Sequence, residues 1–448
     1  MASTRAPSVG RVCGFVPLAA LVGLALLPRL VLHWVVADYR APWPWEVEVM
    51  SRALVEHGTL AYDWFGRTPL RPSAFLPPVY PLVVAAAMWT DGADHQATLR
   101  VWQIVLSTVS VVLVVPLARE LTGSRPAAWI AGALAAVYPS FVAATAQITT
   151  ATLEVFWVEV FALALLRWHR HERWPWLGLA GLTLGLLALT RGPAVLLWPV
   201  VALWLLAVRN TGDLRRGVAR LAVFTAFAVL PALPWTARNY LVIGAPVVIA
   251  TNTGYNFWIG HNPAATGEFD STQEANQPLV DLVAPLSEPE RDAFYLRTGL
   301  RYLVSHPAEE ARLSLRKLWY FVWFRPGLGS SYPNAGRLRE VGELALAVGY
   351  GAVLPAAVVG AWLSRRAWRR LFVVYGIWVA YALGAVAFFA ATRYRAPVEP
   401  FLIAFASLMW ARVIELIRRG RAGRESDPDR LEAAGRRGRL VWPDARSG

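Results

Sequence analysis

The chain has 448 residues, 56% of them hydrophobic and 17% charged, with a net charge of +14. Ordinary globular chains are about 45–50% apolar and about 25% charged, so this composition excludes an ordinary soluble domain and indicates a membrane protein. A pI near 10.4 is typical of nucleic-acid-binding proteins, but that function requires the basic residues to share one accessible face. The single cysteine, Cys13, excludes an intrachain disulfide framework and a cysteine-based zinc site.

Apolar segments recur along the chain, and a hydrocarbon core of ~30 Å takes ~20 helical residues to cross. We predict ten spans, at about 14–36, 99–118, 126–146, 149–167, 175–190, 193–208, 218–237, 341–363, 371–391 and 398–417. The first, at about 23 residues, is longer than the roughly 7–15 residues of a signal-peptide core, and no A-x-A-like cleavage site follows it. We therefore expect an all-α integral membrane protein whose first span stays as an anchor.

Basic residues concentrate on one side of this predicted topology. The short loops and termini of that side hold 25 of the 44 Lys and Arg with 9 acids, which leaves 19 basic and 21 acidic residues elsewhere. Arg-rich short loops stay cytoplasmic, so both termini are expected inside the plasma (inner) membrane. The high pI is then a signal of topology, and nucleic-acid binding loses its support. Residues 418–448 form an Arg-rich tail without apolar periodicity, which is expected to be disordered.

Two segments on the outer side are too long to be simple connectors, a first outer loop at 37–98 and an outer segment at 238–340. The apolar stretch at 77–89 is too short to span and better suits a helix lying in the membrane interface. No internal repeat is visible, which weakens a transporter built from inverted repeats. We predict a transmembrane domain at 1–417, with interfacial helices in the first outer loop and a small outer domain.

The first outer loop contains a helical pattern that opens after Trp43 and Pro44, since proline suits the first turn of a helix. At about 100° per residue, one face of this helix is apolar. Its side chains are Val47, Met50 and Leu54. The opposite face is expected to be a solvated, charge-paired stripe made of Glu48, Arg52 and Glu56. Glu46 lies at the edge of the apolar face, where it is either a general base or a helix-start acid bound by backbone N–H groups.

Charged residues also lie at the outer ends of the predicted spans. Glu154 lies near the outer end of the fourth span, within reach of the first outer loop, and intramembrane acids are functional candidates by default. Four arginines lie at the same level, Arg191, Arg238, Arg393 and Arg395. Each alone could be an interfacial anchor, because long basic side chains snorkel. Several arginines together on the acidic side indicate a site for an anion, since one guanidinium group can donate two hydrogen bonds to a phosphate group.

Two further polar segments have compositions that could indicate binding, one of sugars and one of metals. Residues 251–263 mix amides with aromatic rings, a combination that binds sugars or forms an ordinary loop, and Asn252, Asn256 and Trp258 are the candidates. The run from His169 to Glu172 is interpreted as a solvated turn, so no metal ligands are assigned. No P-loop, G-x-S-x-G, H-E-x-x-H or G-x-G-x-x-G motif occurs, which disfavours nucleotide-driven pumping. We predict no cofactor and leave a divalent metal open.

The order of these parts resembles the GT-C class of multi-span glycosyltransferases. The resemblance is closest to the bacterial family 39 branch, related to protein O-mannosyltransferases and to the aminoarabinose transferase of lipid A. Besides the anchor and the acidic first outer loop, it rests on Pro72–Leu82, on Pro-Trp-x-x-Arg-Asn-Tyr at 234–240, on the loop at 251–267 and on Arg-Tyr-Arg-x-Pro-x-x-Pro at 393–400. It covers most of residues 14–417.

This resemblance implies inverting transfer of a sugar from a polyprenyl-phosphate donor to an acceptor on the outer face. The catalytic acids implied by position are Glu46, as general base, and Glu154; many relatives have Asp at the first position. The family's motifs add Tyr80, Asn239 and Tyr394 to the substrate-binding residues, and Arg191, Arg238, Arg393 and Arg395 would bind the donor phosphate. The alternative is a flippase or transporter of lipid-linked sugar, for which charged residues should line a path through the bundle. The acceptor stays open between protein, lipid and glycan.

Overall fold

The computed structural model describes residues 9–35, 46–209, 213–270, 277–323 and 336–425, and most of these are helical. The helices are α1 Val9–Val35, α2 Glu46–His57, α3 Val79–Asp91, α4 His95–Thr122, α5 Arg125–Val137, α6 Pro139–Ala146, α7 Ala151–His171, α8 Trp174–Ala188, α9 Leu197–Leu203, α10 Leu214–Val229, α11 Ala232–Ile243, α12 Thr253–Gly260, α13 Gln277–Val283, α14 Glu288–Ser305, α15 Pro307–Val322, α16 Gly336–Leu363, α17 Trp368–Ala387, α18 Thr392–Arg395 and α19 Glu399–Glu425. Strands β1 (Ala61–Tyr62) and β2 (Arg71–Pro72) form one antiparallel hairpin in the first outer loop. The described residues are nearly all helical, as predicted, and the hairpin and one parallel bridge between Glu268 and Ala390 are additions that the sequence did not predict.

Fewer helices qualify as membrane spans than the ten predicted. Five described helices are long and apolar enough to cross a membrane, and the count rises to seven if the bent pairs α5–α6 and α10–α11 each form one span. The three remaining predicted spans fall on α7, α8 and the region of α9. Helix α8 has only 15 residues, and α7 carries four charged side chains, Glu154, Glu159, Arg167 and Arg170, within 21 residues. Those three crossings stay predictions.

The bundle is held together by close packing of small residues, as expected where lipid gives no hydrophobic drive between helices. Helix α8 carries Gly181 and Gly185 one turn apart, and both face α10. A Cβ on Gly181 would lie 2.4 Å from the carbonyl oxygen of Phe224, and one on Gly185 would lie 2.2 Å from that of Ala228. Only glycine permits these two helix backbones to approach so closely.

The outer elements lie on one end of this bundle and bring distant parts of the chain together. Ser51 of α2 donates to the carbonyl oxygen of Pro81 in α3 at 3.0 Å, and the N–H of Val79 donates to the carbonyl oxygen of Leu189 after α8 at 3.0 Å. The apolar stretch predicted as an interfacial helix forms α3, and its position at the membrane interface stays a prediction. The helices α2 and α3 are thus fixed against the outer ends of α4 and α8.

One predicted boundary differs from the structure, and another lies outside the described residues. Helix α19 continues to Glu425, beyond the predicted end of its span at 417, and residues 426–448 of the predicted tail lie outside the described residues. Trp43 and Pro44, the predicted start of the first-loop helix, also lie outside them. The described part of that helix begins at Glu46.

Candidate functional site

A cavity of about 640 Å³ lies where the first outer loop meets the N-terminal end of α7 and the C-terminal ends of α8 and α17. Most of its lining is apolar, and it includes Leu76, Ile148, Leu196 and Phe269. The polar side chains in its wall that the sequence also singled out are Glu46, Tyr80, Arg191, Asn252, Asn256, Arg393 and Tyr394. A mostly apolar cavity with a few convergent polar groups is the usual form of a ligand site.

Glu46 is the first residue of α2 and projects into this cavity. Desolvation raises the pKa of its carboxyl group, while a backbone hydrogen bond within the residue and the positive charge of Arg393 act in the opposite direction. Because desolvation is the largest of these effects, the carboxylate is a stronger base than an exposed glutamate. Such a carboxylate is suited to accept a proton from a bound hydroxyl group.

Arg191 lies shortly after the end of α8, and two side chains contact its guanidinium group. One guanidinium nitrogen, NH1, donates to Oε1 of Glu154 at 3.1 Å, and the guanidinium carbon lies 3.5 Å from the centre of the Tyr394 ring. Glu154 is fully buried and also accepts a hydrogen bond from Thr150. Glu154 is not among the residues that line the cavity. The structure therefore places it behind the wall as the partner of Arg191, away from the reacting position implied by the resemblance.

Arg393 and Tyr394 lie in the short helix α18 and also line the cavity. The NH2 group of Arg393 is 3.4 Å from the Tyr394 hydroxyl oxygen, and its guanidinium carbon is 5.2 Å from the centre of the ring. The Tyr394 ring is therefore close to two guanidinium groups, those of Arg191 and Arg393. Two guanidinium groups beside one ring in a largely apolar cavity have donors suited to an anion such as a phosphate group.

Arg238 does not join this anion site, contrary to the prediction. Its guanidinium donates to the carbonyl oxygens of Ser73 at 2.9 Å and Leu60 at 2.7 Å, and to Oγ1 of Thr59 at 2.9 Å. It does not line the cavity. Helix α11 turns it toward the β1–β2 hairpin, so its donors are used to hold that hairpin.

Arg395 is also directed away from the cavity. It is 4% exposed, pairs with Glu399 at 3.0 Å and donates to the carbonyl oxygen of Trp323 at 2.9 Å. Residues two apart in a helix point about 200° apart, so Arg393 and Arg395 cannot face the same cavity. The prediction of four arginines around one phosphate is therefore wrong in this respect, because the geometry provides two.

The predicted substrate-binding residues also fall into two groups, those that line the cavity and those that are buried away from it. Tyr80, Asn252, Asn256 and Tyr394 line the cavity. Asn239 is fully buried and donates to the carbonyl oxygen of Val247 at 2.8 Å, and Trp258 packs in the hydrophobic cluster beneath the wall. Sequence reasoning missed Tyr255 and Tyr381, which also line the cavity. Tyr381 gives no sequence signal, because a tyrosine within an apolar segment is compatible with ordinary helix packing.

Ion pairs and a ring contact hold the charged turn after α7. Glu172 accepts hydrogen bonds from Arg209 and Arg220, and the ring of His169 lies 5.6 Å from that of Trp204. Across the described part of the chain, no three His, Cys, Asp or Glu side chains are grouped so that they could hold a metal ion.

Comparisons with known proteins give one family match, and no curated protein sequence matches the chain. Residues 76–235 match the model of the family described as dolichyl-phosphate-mannose-protein mannosyltransferase. That match covers less than half of the chain.

Several solved structures are similar in fold. One is the archaeal oligosaccharyltransferase AglB from Archaeoglobus fulgidus in complex with an inhibitory peptide and a dolichol-phosphate, with a TM-score of 0.54, 16% identity, and coverage of 98% of this chain and 53% of that chain. An oligosaccharyltransferase structure from the same organism, tethered with an acceptor peptide containing the NVT sequon, has a TM-score of 0.53 and 16% identity, covering 91% of this chain and 50% of that one. ArnT from Cupriavidus metallidurans in the apo state has a TM-score of 0.38 and 16% identity, with coverage of 89% and 78%.

The resemblance predicted from the sequence is therefore confirmed by the family match and by the fold shared with the archaeal oligosaccharyltransferase. At 16% identity the structural likeness establishes the fold alone. The chain spans about half the length of that oligosaccharyltransferase.

Proposed function

We propose that this chain, which has the fold of the archaeal oligosaccharyltransferase and a mannosyltransferase family match at residues 76–235, is a membrane glycosyltransferase. It transfers a sugar from a polyprenyl-phosphate-linked donor to an acceptor on the outer face of the plasma membrane. The observation that carries the proposal is a single cavity that holds a basic carboxylate, Glu46, together with the two arginines Arg191 and Arg393.

The cavity suits both parts of such a donor. Its apolar lining is compatible with an isoprenoid chain, since apolar side chains bind hydrocarbon at low cost. The two guanidinium groups beside Tyr394 are suited to the phosphate, because charge-assisted hydrogen bonds to arginine are short and strong. Asn252 and Asn256 offer amide groups to sugar hydroxyls. AglB was solved with a dolichol-phosphate, a donor-side lipid of the same chemical class.

The reaction that follows is a displacement at the anomeric carbon. The Glu46 carboxylate accepts the proton of the acceptor hydroxyl, and the hydroxyl oxygen forms a bond to the anomeric carbon. The bond from that carbon to the phosphate oxygen breaks, and its electron pair leaves with the polyprenyl phosphate. Arg191 and Arg393 stabilise the negative charge that develops on the phosphate. Attack opposite the leaving group inverts the anomeric configuration.

The test is Glu46→Gln in purified protein reconstituted into vesicles with a radiolabelled polyprenyl-phosphate sugar. Removing a general base typically lowers the rate by about 10²–10⁴-fold, and we expect a loss of that size with donor binding preserved. Glu56→Gln is the matched control, because Glu56 is an exposed acid on the same helix. It should keep full activity.

Full activity of Glu46→Gln would remove the carboxylate from the mechanism. The flippase alternative would be favoured if labelled lipid moved between leaflets and no sugar was transferred, in both the native protein and the variant. Loss of transfer in both Glu46→Gln and Glu56→Gln would point to a general effect on α2.

A further inference from the structure

His95, the first residue of α4, contacts a hydrogen-bond acceptor with each ring nitrogen. Its Nδ1 lies 2.8 Å from the carbonyl oxygen of Gly92, and its Nε2 lies 3.0 Å from Oε1 of Glu48 in α2. The pair is removed from solvent, with His95 6% and Glu48 9% exposed. Glu48 was predicted to belong to a solvated stripe, and that prediction is wrong because the start of α4 covers this side of α2.

Both ring nitrogens of His95 are engaged. Nδ1 carries the proton that is donated to Gly92, since a backbone carbonyl oxygen can only accept. Nε2 faces the Glu48 carboxylate, which also accepts from NH2 of Arg52 at 2.9 Å. The ring therefore links the carboxylate of α2 to the turn before α4.

The contact fixes the helix that carries the candidate base. Glu48 lies two residues after Glu46, within the first turn of α2, so displacement of one carries the other with it. The second polar contact that holds α2 is the hydrogen bond from Ser51 to Pro81 at 3.0 Å, one turn further along. The His95–Glu48 contact is therefore the polar attachment closest to Glu46 among the described residues.

Other charged groups around His95 are few. From α2 they are Glu48 and, through it, Arg52. On the turn before α4, Asp91 and Asp94 are exposed, and Asp91 accepts a hydrogen bond from Thr98 at 2.6 Å. Within the described ranges, Glu48 is the one carboxylate that forms an ion pair with His95. His95 therefore acts on α2 through Glu48.

We propose that His95 is a positioning residue that holds Glu46 in place through its contact with Glu48. This inference rests on the proposed function, in which Glu46 is the base. Loss of the contact frees the first turn of α2, so the rate of transfer falls while the affinity for the donor is kept.

The experiment measures kcat and KM of transfer for the reconstituted native protein, for His95→Ala and for His95→Gln. Loss of the contact should lower kcat of His95→Ala by about three- to tenfold and leave KM for the donor unchanged. Glutamine can still donate to Glu48, so His95→Gln should recover part of that loss. His57→Ala is the control, since His57 lies exposed on the same helix, and it should keep the native kcat.

A second readout does not depend on activity. Hydrogen exchange of the α2 amides should be faster in His95→Ala than in the native protein, and His95→Gln should recover part of the native protection. Native kcat in His95→Ala, or native α2 protection in that variant, overturns the inference. A fully active Glu46→Gln overturns the proposed function instead, and the exchange measurement still decides whether His95 holds α2.

Discussion

At the scale of single residues, the outer arginines divide into two groups that the sequence does not separate. Arg191 and Arg393 both line the cavity beside the Tyr394 ring. Arg238 and Arg395 use their donors on backbone carbonyls and on Glu399, and thereby hold the outer elements against the bundle. The first group is available to a ligand and the second stabilises the fold.

The pair Arg393 and Arg395 gives a direct test of this division. Arg393→Gln removes a charged donor from the cavity, so affinity for a polyprenyl-phosphate ligand should fall by about 10- to 100-fold, with the free energy of unfolding unchanged. Arg395→Gln leaves the buried Glu399 carboxylate without its partner and should lower the free energy of unfolding by about 3–5 kcal/mol. Ligand titration and chemical unfolding of both variants in the same detergent provide the measurements. An equal loss of affinity in both, with unchanged stability, would contradict the division.

At the scale of elements, the wall of the cavity depends on a close crossing of α12 and α14. Gly254 of α12 lies against the backbone of α14, where an added Cβ would be 1.9 Å from the carbonyl oxygen of Asp292. The N–H of Gly254 also donates to Oδ1 of Asp292 at 2.5 Å. The next two residues of α12, Tyr255 and Asn256, line the cavity, so this crossing sets their position.

Gly254→Ala should therefore displace α12 as a unit. A methyl group forced into backbone contact typically costs about 1–3 kcal/mol, and we expect a loss of stability of this size together with weaker ligand binding. The control is Gly23→Ala in α1, where nothing lies within 4 Å of the added Cβ. That change should leave stability equal or raise it by up to about 1 kcal/mol, because alanine favours helix. Thermal unfolding of both variants tests this prediction. Equal stabilities of the two variants would contradict it, because they would show that α12 accommodates the added methyl group.

At the scale of the whole molecule, a buried polar cluster joins the outer segment to the bundle. Lys317 of α15, the chain's only lysine, donates to the carbonyl oxygen of Val386 in α17 at 3.1 Å and lies 3.2 Å from Nε2 of His261. Nδ1 of His261 lies 2.7 Å from Oε2 of Glu310. Burial, followed by the charge of Lys317, lowers the pKa of His261, and its Nε2 also lies 3.0 Å from the carbonyl oxygen of Ala387. This cluster lies directly behind Ala387 and Phe388 of the cavity wall.

The buried cluster makes the free energy of unfolding depend on pH, and the direction follows from the pKa of Lys317. Burial lowers the pKa of Lys317 from 10.5 to about 8. Between these values the unfolded chain binds more protons than the folded protein, so the Lys317 contribution to the free energy of unfolding rises with pH, by at most about 1.4 kcal/mol per unit. Lys317→Met should lack this rise, whereas Arg316→Met, an exposed neighbour, should keep it. Unfolding measured from pH 7.5 to 10 tests the difference, and identical slopes in all three proteins would refute it.

Much of the fold and part of the site follow from local patterns in the sequence. Apolar segments and charge asymmetry predicted the helices and the class, because helix length and membrane hydropathy are properties of a continuous segment. The number of crossings does not follow in the same way, since five to seven of the ten predicted spans qualify among the described helices, α8 being short and α7 carrying Glu154 and Glu159. Helical periodicity placed Glu46 at the edge of an apolar face, and the structure gives it a place on the cavity wall.

The sequence by itself determined the helices, the separation of basic from acidic segments and the residue types available at the outer ends. Only the tertiary structure decided which of these residues meet. Glu48 became buried because α4 begins above it, Glu154 became the partner of Arg191, and Arg395 was directed away from the cavity toward Glu399. The physical reason is that a helix fixes the angle between its own side chains, whereas the direction of each face depends on contacts with residues far away in the chain.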